Sequence, residues 1–292
     1  MPFNEPEYEG KPLSRWVAET KDKDAVVRLF AASALGEMGP EVEAATRALT
    51  ELLQDKDTGV RVVAAAVLGT VSPGAIPALV KLLKSNDEQV RVAATRGLGK
   101  IGLAAIPAIT ELLKGKDERL RATAAMALGS IGPNAIPALT ELLQDQHTWV
   151  RVTAALVLAD AGRAANTASA ELTELLKDKD WHVRDAAALA LGKIGPEAKF
   201  AVPRLTELLI DESVRETAAW ALGEIGSAAK SATPALIALL KNEWVRQTAA
   251  SSLGHIGPAA KAAIPALTEL LKDPDKDLRK TAADALQKIS TP

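Results

Sequence analysis

One short pattern, Val-Arg followed by Ala-Ala, Leu, Gly and Ile-Gly at fixed offsets, recurs nine times along this chain and leaves little freedom in how it folds. Its arginines are Arg28, Arg61, Arg91, Arg121, Arg151, Arg184, Arg215, Arg246 and Arg279, separated by 33, 30, 30, 30, 33, 31, 31 and 33 residues. A period in this range marks a solenoid, whose units cannot bury their apolar faces alone and must stack on their neighbours. At 292 residues, length alone would suggest about two globular domains. The repeat overrides that prior, because a solenoid grows in one dimension and never saturates a single core.

Each repeat reads as two helices. The first carries Ala-Ile-Pro-Ala-Leu-Thr-Glu-Leu-Leu, as at 135–143, with Pro77, Pro107, Pro137, Pro203, Pro234 and Pro265 in matching places. Proline belongs in a first helical turn, where its missing N–H would be unpaired anyway. The longer lead-in at 195–199 predicts a helix that begins a turn earlier and kinks at its proline. The second helix is predicted to open after an aspartate cap (Asp57, Asp87, Asp117, Asp180, Asp275) or Asn242. It is predicted to close at Leu-Gly, as at Leu191–Gly192, with Gly195 supplying the turn. Repeat 5 departs, with His147 at the cap and Leu158-Ala159-Asp160-Ala161-Gly162 at the end, and irregularity is expected there. Residues 1–10 read as an extended leader and 11–292 as one array, whose first helix covers about 12–21. Trp16, with Phe30, is expected to lid the open end, since a terminal repeat has only one neighbour.

Comparing the nine copies separates core from surface. Three residues after the arginine every copy has Ala, and seven after it every copy has Leu. These positions share one helix face; small Ala lets helices approach and Leu fills the space between. The arginine usually has an aspartate six residues before it (Asp22, Asp55, Asp145, Asp178, Asp273). A phosphate-binding stripe is one reading of these arginines. A ladder of arginines forking to aspartates and loop carbonyls is the favoured one.

Acids and bases are interspersed and the formal net charge is −2, which disfavours nucleic acid and an anionic membrane as partners. No cysteine is present, which removes disulfides, thiolate metal sites and thiol nucleophiles together. No continuous apolar run approaches the roughly 18 residues of a membrane span. A soluble, cytoplasmic monomer is the default expectation.

These motifs resemble HEAT repeats, specifically the short HEAT-like type named after phycobilisome lyases and also used in consensus-designed helical scaffolds. The resemblance covers about 11–290, and the opening 8–16 is similar to the lead-in of uncharacterised bacterial HEAT proteins. Gly97, Arg47, Ala159 and Ser252 depart from a strict consensus and point to natural drift. The resemblance implies an all-α architecture: a right-handed α-solenoid superhelix of about nine HEAT-like helix-turn-helix repeats, second helices on the concave side.

Relative to each arginine, positions −2, +1, +2, +5 and +9 share a face at helical spacing, and these vary. Four of the five tryptophans (Trp149, Trp181, Trp220, Trp244) fall in repeats 5–8 on or beside it, with His182, Met126, Leu156 and Leu189 alongside. Tryptophan and methionine are enriched at protein interfaces, so this stretch is the expected binding face for a protein or peptide. Packing of each indole onto the adjacent repeat is the plain alternative. His147 and His182 lack the third protein ligand zinc normally takes, so no metal or cofactor is assigned. The His-Glu pairs of HEAT-like deoxyhypusine hydroxylases are absent, and the mixed charge is wrong for the HEAT-like alkylpurine DNA glycosylases. No catalytic residue is assigned. A bilin-handling lyase of the phycobilisome type remains the alternative to a non-catalytic scaffold.

Overall fold

The structure, a computed structural model, describes residues 5–38 and 43–291; residues 1–4 of the leader lie outside them. It is an all-α solenoid in fold class, and its chain divides into two compact units, Met1–Ala138 and Leu139–Pro292. In the first, a two-residue hairpin, β1 (Glu7–Tyr8) and β2 (Lys11–Pro12), precedes four helix pairs. These are α1 (Leu13–Glu19) with α2 (Ala25–Glu37), α3 (Glu43–Leu52) with α4 (Thr58–Val71), α5 (Ile76–Leu82) with α6 (Glu88–Ile101), and α7 (Ile106–Leu113) with α8 (Glu118–Ile131). The boundary falls inside α9 (Ile136–Leu142), the partner of α10 (Thr148–Ala161). The second unit continues with α11 (Ser169–Leu175) and α12 (Trp181–Ile194), then α13 (Val202–Glu207) and α14 (Arg215–Ile225). It ends with α15 (Thr233–Leu239), α16 (Arg246–Ile256), α17 (Ile264–Leu270) and α18 (Lys276–Ser290).

The alanine three residues after each arginine has no exposed surface in any of the nine copies. The leucine four further on is equally buried in eight; Leu286, in the last helix, is half-buried. The first-helix prolines sit in the first turn, as expected (Pro77, Pro107, Pro137, Pro203, Pro234, Pro265). Asp57, Asp87, Asp117, Asp180 and Asp275 accept hydrogen bonds from backbone N–H groups at the starts of their helices. Asn242 does so one turn ahead of α16, from the Trp244 N–H.

Arg28, Arg61, Arg151, Arg184 and Arg246 form the ladder, while Arg91, Arg215 and Arg279 donate to loop carbonyls of their own repeats. Arg28 forks to Asp55 in the next repeat, Nε to Oδ2 at 2.7 Å and Nη2 to Oδ1 at 2.8 Å, while its Nη1 donates to the carbonyl of Asp22. Asp55 in turn gives its carbonyl to Arg61 and caps the Asp57 N–H with its carboxylate. Arg151 repeats the arrangement with Asp178, and Arg246 donates Nη1 to Asp273 Oδ2 at 2.8 Å, each pair 27 residues apart. Arg61 and Arg184 reach instead to Asp87 and Asp211, each four residues before the next arginine because that repeat is shorter. The Arg28 guanidinium holds the Asp55 carboxyl below the ordinary carboxylate range, against the upward push of burial. A pair buried and bonded on all sides is not a site for phosphate.

Several expectations need correction. The second helices do not close at Leu-Gly: α12 runs past Gly192 to Ile194 and ends at Gly195, whose φ of 80° lies where a Cβ is strained. Gly192 has a different task. A Cβ there would stand 2.4 Å from the Trp220 ring and 3.0 Å from Cα of Ala221 on α14. The equivalent Gly69 lies against the backbone of Gly97, and Gly254 against Ala285. Gly69, Gly192 and Gly254, each eight residues after its arginine, thus bring successive second helices into near backbone contact. First helices meet far less closely than second helices within each unit.

The long lead-ins are not early helix either. Gly195–Ala201 is a 3-10 segment interrupted at Ala198 (ψ 17°), and Pro203 then sits unkinked in the first turn of α13. Only the cap of repeat 5 is irregular: α10 is a regular helix, but His147 gives no side-chain cap and bonds Asp145 instead. The leader is folded back rather than extended, through Glu9 and Gly10 at positive φ. Trp16 is buried, donates Nε1–H to the Tyr8 carbonyl at 3.1 Å and lies under the Lys11 ammonium. It is the lid; Phe30, 64% exposed, is not part of it. Glu88–Leu113 reaches a mean hydropathy of 1.2 over 18 residues, yet it is α6 and α7 broken at Gly102 (φ 77°), a helical hairpin like its neighbours.

Candidate binding face

In the second unit α10, α12, α14, α16 and α18 stand side by side, and the variable positions reach the surface except Val152, Thr153 and Ala186, which are buried. Helix starts carry one part of the face. Trp149 precedes Arg151 by two residues and is 41% exposed; Trp181 and His182 begin α12, and Trp181 is 44% exposed. The three rings meet: His182 stacks on Trp181 with centroids 3.8 Å apart and tilts against Trp149 at 5.5 Å. Asp180 fixes the imidazole through Nδ1 at 2.9 Å while capping the helix with the same oxygen. Burial pushes the Asp180 carboxyl up, and the hydrogen bonds from His182 outweigh it and bring it below its ordinary value.

Trp244 stands apart. It occupies the turn before α16, is 90% exposed, and makes no ring contact among the described residues. Burying an indole would recover much of the area that makes aromatic anchors effective, and here that area lies open.

Trp220 differs from the other three. It is half-buried, one edge against Gly192, with Lys193 Nζ 5.7 Å from the ring centre. Its remaining surface forms one side of a hollow of about 260 Å³ shared with Gln247, Thr248, Ser251 and His255 of α16 and Thr281 of α18. This indole is packing and surface at once. Leu156 is exposed and Leu189 half-buried, both five residues after their arginines as Trp220 is. Met126, 58% exposed at the same position of α8, belongs to the first unit.

Trp149, Trp181 and His182 are therefore brought together, Trp220 joins a polar hollow, and Trp244 is isolated. The hollow went unread in the sequence although Gln247, Thr248, Ser251 and His255 all sit at variable positions. The signal missed was their shared chemistry, hydroxyl and amide groups that neither repel water nor carry charge. His255 Nδ1 lies 3.3 Å from Glu224 Oε1 across α14 and α16, a pairing between +9 positions of successive repeats. Among the described residues no three His, Asp or Glu side chains converge as a metal site would require.

A family profile for HEAT repeats matches residues 13–85, 76–159, 136–213 and 233–292. One for the PBS lyase HEAT-like repeat matches 214–242. Comparison with curated proteins finds no match. Among solved structures, an engineered protein is similar over 96% of this chain and 89% of its own, with 28% identity and a TM-score of 0.50. A chain from the structure of Kap95p binding to RanGDP is similar over 95% of this chain, with a TM-score of 0.59. This chain spans 45% of that one, and at 17% identity the likeness is one of fold.

Proposed function

The chain belongs to the HEAT-repeat family, and from that premise we propose that it is a non-catalytic scaffold whose second helices hold a protein or peptide in the second unit. The observation that carries this reading is the exposure of Trp149, Trp181 and Trp244 on one row of helix starts. Neighbouring helices pack roughly 9 Å apart, so the three steps from α10 to α16 span about 30 Å, enough for an extended segment of chain. Indoles are costly to leave in water and are repeatedly the anchors of interfaces. His182, Leu156, Leu189 and Trp220 would supply flanking contacts. A protein partner is the occupant of the Kap95p structure as well, a parallel of fold alone.

The test is selection of displayed random peptides on the intact protein. Peptides that enrich on the wild type and fail to bind a W149A/W244A variant of equal helicity support the reading. Enrichment that ignores both substitutions, or no enrichment at all, refutes it. The single match to a PBS lyase HEAT-like repeat keeps a tetrapyrrole-handling role as the second reading. An absorbance titration with a bilin decides that one: without a spectral shift it falls.

A further inference from the structure

Resting on the proposed peptide-binding role, we infer that the second unit selects a cationic segment, one carrying arginine or lysine side chains. The argument is the charge found at the five variable positions. In repeats 5–9 they hold Asp160, Asp185, Glu216, Glu224, Asp277 and Asp284 against Lys193, Lys280 and Lys288. In repeats 1–4 the same positions hold Glu37 against Arg96, Lys100 and Arg119. A chain of near-zero net charge thus carries an acidic face on one unit and a basic one on the other.

These carboxylates are not spoken for by the ladder, whose aspartates lie in the loops. Asp160 is exposed and Asp185 half-buried, and neither has a hydrogen-bond or ion-pair partner among the described residues. Lys193, the one lysine of repeats 5–8 in the set, leans over Trp220 instead of over an acid. The two helices that carry Asp160 and Asp185 also carry Trp149 and Trp181, each partly exposed. An indole face attracts a cation, and guanidinium most readily, because its quadrupole is negative above the ring. Carboxylates and aromatic faces together favour guanidinium and ammonium groups and repel an acidic segment, giving selectivity by repulsion as well as attraction. The isolated charge of a lysine or arginine peptide needs no deep cavity, which agrees with a face of shallow hollows.

The experiment uses the whole protein and two labelled peptides, six repeats of Gly-Ser-Arg and six of Gly-Ser-Glu, followed by fluorescence anisotropy. The arginine peptide is expected to bind, with affinity falling steeply between about 50 and about 500 mM salt as screening shortens. The glutamate peptide is expected not to bind. D160N/D185N should weaken arginine-peptide binding about tenfold, and W149A about threefold, while R96Q/K100Q in the first unit should not weaken it. No binding of the arginine peptide, equal binding of the glutamate peptide, or indifference to D160N/D185N overturns the inference. Displayed peptides that enrich through Trp149 and Trp244 but lack basic residues would overturn it too, and would leave the peptide-binding reading standing.

Discussion

Adding one methyl group at Gly69 and at Gly129 should change stability in opposite directions. Both glycines lie within second helices, eight residues after their arginines, and in an isolated helix alanine is favoured over glycine by about 1 kcal/mol at either. What differs is the neighbour. A Cβ on Gly69 would stand 2.3 Å from the carbonyl oxygen of Gly97 and 2.4 Å from its Cα, whereas one on Gly129 meets nothing within 4 Å. Backbone atoms cannot rotate aside, so α4 and α6 must separate by about an ångström at that point. A gap of that size forfeits a quarter to a half of the dispersion well of the atoms it parts, here Ala65, Leu68, Ala94 and Leu98, all fully buried. Overpacking of this kind costs about 1–3 kcal/mol, and the helix-propensity gain offsets roughly one of them. Gly69→Ala should therefore lose up to about 2 kcal/mol, a fall in Tm of up to roughly 4–8 °C, while Gly129→Ala gains up to about 1 kcal/mol. Thermal melts followed by circular dichroism report the sign of each, and hydrogen exchange at Leu98 reports whether the loss is local to α6. Should Gly69→Ala melt as high as Gly129→Ala, close approach through glycine does not govern the spacing of these helices.

Asp55 is held below the ordinary carboxylate range, so its contribution to stability is complete above that range and disappears as pH falls through its lowered folded value; in Asp55→Asn the urea midpoint should vary less with pH on the acid side. Trp16→Ala removes the buried lid and should cost about 3–5 kcal/mol, seen as loss of exchange protection in α1 and α2 with the second unit unaffected. Gly195→Ala places a Cβ at φ 80° and should cost about 1–3 kcal/mol although the nearest atom, the carbonyl oxygen of Glu224, is 3.7 Å away; a loss in the thermal melt confirms strain rather than collision. W244A, at 90% exposure, should shift the melt by no more than about 0.5 kcal/mol, so that any peptide binding it loses is a loss of contact.

Features legible in the sequence were those that one repeat dictates to itself or that all copies share. The Ala and Leu positions of the core, the aspartate caps and the arginine–aspartate pairs of the ladder follow from helical spacing and hydrogen-bond chemistry. Features that depend on a neighbour at a particular distance did not show. Gly192 reads as a stop because glycine usually ends helices, and only the 2.4 Å to Trp220 reveals that it is a contact. Phe30 reads as core by its chemistry, yet the hairpin of β1 and β2 already brings Tyr8 and Lys11 onto Trp16 and leaves Phe30 in water. For the face, composition identified the tryptophans but not their grouping: His182 joins Trp149 to Trp181 because Asp180 pins its ring, a side-chain orientation that no spacing rule specifies.

Gly69, Gly223 and Gly254, each buried against the next helix, act as a ruler, while the residues that would meet a visitor sit elsewhere on the same helices. Such a division lets the recognised motif be rewritten one side chain at a time without altering the pitch of the array. Trp220 is where the two duties meet, since it both spaces α12 from α14 and faces outward. Redesign of specificity should start from Trp149 or Trp244 and leave that indole in place.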